Sequence, residues 1–240
     1  MTTTPKQRLS FPLTEGKLFI NGQWRTAQNG QTRPIINPAT EAELICVAEA
    51  SASDVESAIA AASQAFASDR WHKMDIYARA QLLMRIADVL EEHADEMAFL
   101  ETVNGGKPIA FTSSIEVPAA IQIFRYYSGV AMQLDGHTRH GAPSTLKYTL
   151  REPLGVVGAI TPFNFPLILA VTKIAPALAA GNTIVHKPAS LAPLSSIKLA
   201  ELMEKAGLPR GVYNLVTGPG ERVGNQLVTH PSIAKIAFTG

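Results

Sequence analysis

Apolar residues follow a clear alternating rhythm in the second half of the chain. From Gly155 onward, short unbroken apolar runs alternate with segments whose apolar residues recur at helical spacing. The runs predict strands at Val156–Ile160, Thr183–His186, Tyr213–Val216 and Ala234–Phe238, with helices between them at Leu167–Ala180, Pro193–Ala206 and Glu221–Val228. Apolar strands separated by single helices predict an α/β fold, in which a parallel sheet carries helices on its faces.

The first half of the chain predicts short strands and then three helices. Strands are expected at Lys17–Ile20, Ile35–Ile36 and Leu44–Val47, because turn-forming pairs such as Asn21-Gly22 separate them. The helical spacing then predicts a first helix that begins with a capping box of Ser53 and Glu56, a second over Asp75–Val103 and a third over Ser113–Leu134.

A segment of different character joins the two halves. Leu146, Tyr148 and Leu150 alternate with polar residues, which predicts a half-exposed strand in a ribbon over residues 135–154. Such a ribbon is marginal alone and needs a partner, either within the fold or across a subunit boundary.

Composition and charge exclude several classes of protein. The chain has 240 residues, 46% of them apolar, and a net charge of +1. It is therefore too apolar to be disordered, and it has no positive excess that would favour nucleic-acid binding. Residues 154–181 are strongly apolar, but three prolines and Lys173 interrupt them, so a membrane span is not expected.

One cysteine and a polar start indicate the compartment. Cys46 cannot form an internal disulfide, and the first residues show no secretory signal, so a cytoplasmic location is expected. Ile45 and Val47 predict that Cys46 is a buried strand thiol and chemically inert. The six histidines are scattered, and no metal site is predicted.

Candidate chemistry lies in the loops that follow the predicted strands. Asn164 lies between two prolines and is either an oxyanion donor or an Asx-turn residue. Lys187 is either a ligand for ribose or phosphate or an ordinary solvated charge. Gly218, Gly220 and Gly224 form either a phosphate cradle or a helix-entry turn, since their spacing departs from the usual dinucleotide motif.

Together these residues resemble the aldehyde dehydrogenase superfamily, which is NAD(P)-dependent. The similar motifs, in chain order, are Leu18–Trp24, Asn37–Thr40, Glu101–Pro108, Tyr148–Gly155, Gly155–Pro166, Pro176–Asn182, Lys187-Pro188 and Phe238-Thr239-Gly240. The resemblance implies a Rossmann-like parallel sheet with flanking helices plus a protruding β ribbon. It divides the chain into an NAD(P)-binding domain over 1–134 and 155–240 and an oligomerisation ribbon over 135–154.

The resemblance also implies roles for individual residues. Asn164 would donate to the oxyanion, and Lys173, a lysine near the active site, would have a supporting catalytic role. Cofactor-binding residues would be Thr161, Pro162, Phe163, Asn164, Lys187, Pro188, Ala189, Ser190, Gly220, Gly224 and Gly240. Many NAD-preferring members carry Glu where this chain has Ser190, so NADP as well as NAD is expected to be accepted.

The resemblance finally implies an activity that this chain alone would lack. The family oxidises an aldehyde to a carboxylic acid through a cysteine thiohemiacetal, and its catalytic Cys and general-base Glu lie beyond the Phe-Thr-Gly motif. We therefore expect a fragment of a longer homodimer or homotetramer, without the catalytic domain and inactive by itself. The alternatives are a non-catalytic homologue that acts as a nucleotide-binding or subunit-association module and, more remotely, a member that uses coenzyme A.

Overall fold

The structure is a computed structural model that describes residues 16–240. The prediction of no secretory signal concerns the polar first residues of the chain, and almost all of these lie outside the described residues. The strands are β1 Leu18–Ile20, β2 Gln23–Arg25, β3 Thr32–Ile36, β4 Glu43–Ala48, β5 Thr138–Arg139, β6 Lys147–Tyr148, β7 Val156–Ile160, β8 Thr183–Lys187, β9 Tyr213–Leu215 and β10 Ile233–Phe238. The helices are α1 Ala52–Ala67, α2 Asp69–His72, α3 Ile76–Glu92, α4 Ala94–Gly105, α5 Ile109–Phe111, α6 Val117–Ala131, α7 Pro166–Ala179, α8 Leu194–Lys205 and α9 Asn225–Thr229.

The main sheet has six strands in the order β10-β7-β8-β9-β1-β2. The first four are parallel, as the apolar runs predict, and β1 and β2 extend the sheet in antiparallel fashion. The four predicted strands and the helices between them are therefore confirmed to within a few residues. The α/β prediction is confirmed as well.

Helices cover both faces of this sheet, and the pleat divides the core between them. Val157 and Ile184 point into the larger apolar cluster with α3, α6, α7 and α8. Their neighbours Val156 and Val185 point into a second cluster with α1 and α9. Alternate residues of a strand face opposite sides, so each strand contributes to both clusters.

A buried indole fixes α2 to the far end of the sheet. Trp71 is 1% exposed, and its Nε1 donates a hydrogen bond to the carbonyl oxygen of Gly181 over 2.9 Å. The guanidinium carbon of Arg79 lies 5.8 Å from the ring centroid. This contact joins the first helices to the turn between α7 and β8.

The first helices differ from the sequence predictions in two places. The capping box of α1 is made by Ser51 and Asp54, not by Ser53 and Glu56, because the Asp54 carboxylate also accepts from the backbone N–H of Gln28. The predicted helix over Asp75–Val103 is two helices, since the backbone leaves helical geometry at His93.

The third helix and the last one each start with a wide turn. Thr112–Glu116 and Gly220–Gly224 are π-helical turns before α6 and α9. Pro118, in the first turn of α6, has no N–H, so the regular hydrogen-bond ladder cannot run through it. Helix α6 also ends at Ala131, three residues before the predicted Leu134.

The ribbon forms, but it is not half-exposed. β5 and β6 pair in antiparallel fashion apart from the main sheet, and every residue from 132 to 152 is exposed. Leu146, Tyr148 and Leu150 are 74%, 60% and 69% exposed. The alternating pattern therefore has no apolar surface to cover it within residues 16–240.

The prediction that Cys46 is buried is wrong. It lies in β4 with its side chain exposed, and its Sγ is 3.6 Å from Glu43 Oε1. The strand belongs to a two-stranded hairpin with β3, apart from the six-stranded sheet. Within residues 16–240, no helix has the length and apolarity that crossing a membrane requires.

Candidate active site

The candidate site is the edge of the sheet at which β7, β8, β9 and β10 end. Three backbone hydrogen bonds continue the ladder past the strands: Thr161 N to Lys187 O over 3.1 Å, Val216 N to His186 O over 3.0 Å and Thr239 N to Ile160 O over 3.1 Å. These bonds hold the starts of the strand-end loops at fixed positions. The structure thus brings the predicted residues 161–164, 187–190 and 240 to one edge.

The loop after β7 presents Asn164 to solvent. Its amide has no hydrogen-bond partner among residues 16–240, and Pro166 begins α7 two positions later. An Asx turn would need an N–H at that position, which proline lacks, so the Asx-turn alternative is not supported. Phe163 is 64% exposed beside it, Pro162 is half-buried and Thr161 is buried.

A buried charge cluster supports this loop from beneath. The Nζ of Lys107 lies 4.6 Å from the ring centroid of Phe165, the residue after Asn164. The same Nζ donates to both carboxylate oxygens of Glu116 at 2.7 and 2.9 Å, and it lies 3.4 Å from Glu101. Burial raises the pKa of Glu101 to about 7. Sequence analysis found Lys107 only as part of a family motif and gave it no role.

The Lys187 side chain is buried, so the solvated-charge alternative is wrong. It is 4% exposed, and its Nζ donates to the Pro188 carbonyl oxygen over 2.8 Å. Burial lowers the pKa of Lys187 to about 8. A Cβ added at Gly224 would lie 3.8 Å from its Cδ, so the glycine lies beside the lysine stem. An ammonium group has three N–H donors, which leaves donors for a ligand.

Ser190, in the loop after β8, holds this loop against the loop after β9. Its hydroxyl donates to the Gly218 carbonyl oxygen over 2.8 Å, which joins the loops after β8 and β9. Gly218 has φ +144°, and a Cβ there would approach Val223 to 2.8 Å, so only glycine fits. Pro188 is buried, and Ala189 and Ser190 are half-buried.

Gly220 and Gly224 bound the π-helical turn that leads into α9. Both residues therefore lie at a helix entry, where a phosphate cradle would also lie, so their role as cofactor-binding residues stays a prediction. Nothing lies within 4 Å of the position that a Gly220 Cβ would occupy, so the turn leaves open space on that side. Whether a ligand uses this space stays a prediction.

Lys173 reaches the last strand. Its Nζ donates to Thr239 Oγ1 over 2.5 Å, and burial lowers the pKa of Lys173. Gly240 follows, packed against the ring of Phe238. Lys173 therefore joins α7 to the residue that follows β10, and its supporting role near the active site stays a prediction.

Sequence analysis missed a buried hydrogen-bond chain across three strands. His186 Nε2 lies 2.9 Å from Thr161 Oγ1, and His186 Nδ1 lies 2.7 Å from the Tyr213 hydroxyl. Burial lowers the pKa of His186 to about 3 and raises that of Tyr213, so both groups are neutral. A neutral imidazole has one N–H donor and one acceptor nitrogen, so one of the two hydroxyls, of Thr161 or of Tyr213, donates to the ring and the other accepts from it. A histidine within an apolar strand was the available signal.

Comparisons with known proteins cover nearly all of the chain. The family model described as the aldehyde dehydrogenase family matches residues 24–240. A phenylacetaldehyde dehydrogenase of Pseudomonas fluorescens is 45% identical over all of this chain and half of its own length. A mitochondrial benzaldehyde dehydrogenase of Antirrhinum majus is 42% identical over 93% of this chain and 42% of its own.

Solved structures agree with the sequence matches. An aldehyde dehydrogenase from Bacillus cereus, solved as an NAD+ complex, has a TM-score of 0.93 and 43% identity over 94% of this chain and 46% of its own. A betaine aldehyde dehydrogenase from Staphylococcus aureus, also with NAD+, has a TM-score of 0.92 and 37% identity over 95% of this chain and 46% of its own. The chain spans about half the length of the curated relatives that it matches. It belongs to the aldehyde dehydrogenase family.

Proposed function

We propose that this chain binds NAD or NADP along the edge formed by β7, β8, β9 and β10, as part of an enzyme that oxidises an aldehyde to a carboxylic acid. The observation that carries the proposal is the unpaired Asn164 amide, held on a proline-bounded loop beside the buried Lys187 strand end. Relatives solved with NAD+ support the choice of cofactor.

The residues present fit a dinucleotide. The Lys187 ammonium is buried with one hydrogen-bond partner, and Gly220 faces open space. Lys187 would donate to ribose hydroxyls, and residues 161–163 would line the nicotinamide side. A bound nicotinamide dinucleotide supplies the hydride acceptor for aldehyde oxidation.

Asn164 supplies the second function of the site. A neutral amide N–H on a proline-bounded loop would stabilise an oxygen whose negative charge grows during the reaction. The contact of Lys107 Nζ with the ring of Phe165, the next residue, would help to position this loop. The aldehyde itself is proposed only as a class.

Two further proposals concern the surroundings of the enzyme. The exposed apolar residues of the β5–β6 ribbon would mediate assembly into a homodimer or homotetramer. A cytoplasmic location rests on the single cysteine.

Cofactor binding is testable on the 240-residue chain by calorimetry and thermal unfolding. NAD+ at about 100 times its dissociation constant should stabilise the native state by about 2.7 kcal/mol. Lys187→Met should weaken binding about tenfold, since it removes charged donors, while Lys205→Met, which breaks an exposed ion pair with Glu92, should leave binding unchanged. No binding of either cofactor would overturn the proposal.

A further inference from the structure

The buried hydrogen-bond chain of His186 lies next to the start of the loop that carries Asn164. His186, in β8, places its Nε2 2.9 Å from Thr161 Oγ1 and its Nδ1 2.7 Å from the hydroxyl of Tyr213, in β9. Thr161, which follows β7, is 3% exposed, His186 is 0% exposed and Tyr213 is 1% exposed. The proposed function gives His186 and Tyr213 no role.

Both ends of this chain depend on the imidazole in its middle. Within residues 16–240, His186 is the hydrogen-bond partner of the Thr161 hydroxyl and of the Tyr213 hydroxyl, and neither hydroxyl has another. Loss of the imidazole would therefore leave two buried hydroxyl groups unpaired, which is unfavourable. Since burial lowers the pKa of His186 to about 3, the chain keeps the same charge throughout the neutral pH range.

Thr161 is the last hydrogen-bonded residue before Asn164. Its N–H donates to the Lys187 carbonyl oxygen over 3.1 Å, beyond the last residue of β7. Pro162 has no N–H, and residues 162–164 make no hydrogen bond within the described part of the chain. This short stretch is therefore held at its two ends, by Thr161 on one side and by the start of α7 on the other.

The Thr161 side chain determines how the first of these ends is held. A single backbone hydrogen bond fixes the distance of Thr161 from β8 but leaves its peptide group free to tilt. The second bond, between Oγ1 and His186, joins the same residue to β8 in another direction. Because threonine is branched at Cβ and its χ1 is restricted, a fixed Oγ1 also fixes the backbone at which residues 162–164 leave the sheet.

We propose that His186 is a positioning residue of the cofactor site: its hydrogen bond to Thr161 holds residues 161–164 where they line the nicotinamide side and direct the Asn164 amide. The inference rests on the proposed function and deepens it, because it assigns the orientation of this loop to a side chain that is completely buried. Tyr213 forms the other end of the chain, and its bond holds the imidazole rather than the loop.

Two substitutions of His186 separate positioning from stability. The amide of His186→Gln reaches the place of Nε2 and keeps a partner for Thr161, whereas the shorter amide of His186→Asn reaches only the place of Nδ1 and keeps a partner for Tyr213. In calorimetric titrations of the 240-residue chain, His186→Asn should raise the NAD+ dissociation constant about tenfold, and His186→Gln should stay within about threefold of wild type. Thermal unfolding should show similar losses in both, since each leaves one buried hydroxyl unpaired.

Two further variants break the chain at its ends. Thr161→Val, which keeps the shape of the side chain, should weaken NAD+ binding as His186→Asn does. The double variant should bind no more weakly than either single variant, because both remove the same bond. Tyr213→Phe is the matched control: it breaks the chain at the end away from the loop, and NAD+ binding should stay within about threefold of wild type. If His186→Asn does not fold, Thr161→Val and Tyr213→Phe make the same comparison.

ADP is the second probe, because it carries the adenosine and phosphate part of the cofactor without the nicotinamide side. Its dissociation constant should change less than about twofold in every variant, since the altered loop lies outside its contacts. The inference is overturned if His186→Asn and Thr161→Val bind NAD+ as tightly as wild type, if both His186 variants weaken NAD+ binding equally, or if ADP binding falls in parallel. A wild-type chain that binds neither NAD+ nor ADP would instead contradict the proposed function.

Discussion

Lys187 carries its charge in a buried position with one hydrogen-bond partner, the carbonyl of Pro188. A single neutral partner does not replace the hydration that an ammonium group has in water. The folded chain therefore holds this proton less tightly than the unfolded chain does, and the pKa of Lys187 falls from 10.5 to about 8.

That difference predicts how stability depends on pH. Between pH 8 and 10 the unfolded chain binds more protons at Lys187 than the native chain, so its contribution to the free energy of unfolding should rise with pH. Below about pH 8 the group is charged in both states, and the penalty is constant. In wild type the free energy of unfolding should gain about 2 kcal/mol from Lys187 between pH 8 and 10, and Lys187→Met should lack this gain.

Urea unfolding of wild type and Lys187→Met at pH 7.5, 9 and 10 measures that rise. Lys205→Met is the control, because this lysine is exposed and paired at the surface. The prediction would be contradicted if the free energy of unfolding changed with pH from 7.5 to 10 by the same amount in wild type and in Lys187→Met.

The sequence predicted which candidate residues share one edge of the sheet better than it predicted whether each of them is buried. Strand ends indicate which residues share an edge, and thus Asn164 and Lys187 could be chosen. Burial depends on what packs above a residue, so the local sequence could not show that Lys187 is covered or that Cys46 is not. His186 was missed for the same reason, since its partners Thr161 and Tyr213 come from other strands.

At the scale of elements, the turn around Lys107 supports the loop of Asn164 through an ion cluster. Glu116 lies in the π-helical turn before α6 and is fully buried, and Glu101 lies in α4 with 2% exposure. Within residues 16–240, the cation that pairs with both carboxylates is Lys107, whose Nζ also lies 4.6 Å from the ring centroid of Phe165. Two helices and a loop therefore depend on one ammonium group.

Removing that ammonium should be costly. Lys107→Met leaves the Glu116 carboxylate buried without its partner, and we expect a loss of about 3–5 kcal/mol in the free energy of unfolding. The double variant Lys107→Met/Glu116→Gln should recover part of this loss. Lys73→Met breaks an exposed i,i+4 pair with Asp69 and should cost less than about 1 kcal/mol. Chemical denaturation at pH 8 measures the free energy of unfolding of all three variants. Equal losses in Lys107→Met and Lys73→Met would refute the stabilising role of Lys107.

Element boundaries were predictable where local chemistry decides them. Pro166 starts α7 and Gly106, with φ +73°, ends α4, and both residues are evident in the sequence. The start of α1 was misplaced by two residues, because the Asp54 carboxylate is fixed by Gln28, a residue 26 positions earlier. A cap with a distant partner leaves no local signal.

At the scale of the whole molecule, the parallel arrangement of β7, β8, β9 and β10 follows from alternating strands and helices, but the position of β10 beside β7 and the two antiparallel strands do not. β1 joins β9 through one register pair, Phe19 with Leu215, and through a bond from Asn21 N to Asn214 Oδ1. These partners are nearly 200 positions apart, so no local pattern could predict their pairing.

The ribbon gives a prediction about assembly. Leu146, Tyr148 and Leu150 project from a two-stranded pair that nothing covers within residues 16–240, and burying them against a second subunit would stabilise an oligomer. Leu146→Glu/Leu150→Glu should lower the mass measured by light scattering to that of a monomer. Tyr77→Glu, an equally exposed apolar position on α3, is the control. A monomeric wild-type chain would contradict this role for the ribbon.

The Trp71 contact gives the molecule a built-in optical probe. The sequence has two tryptophans, and Trp24 lies near the surface with its Nε1 on Glu204, whereas Trp71 is enclosed. In a Trp24→Phe chain, emission would come from the enclosed indole alone. Its wavelength would shift to the red when α2 separates from the turn at Gly181, so local opening of the sheet's far end could be followed by fluorescence without an added label.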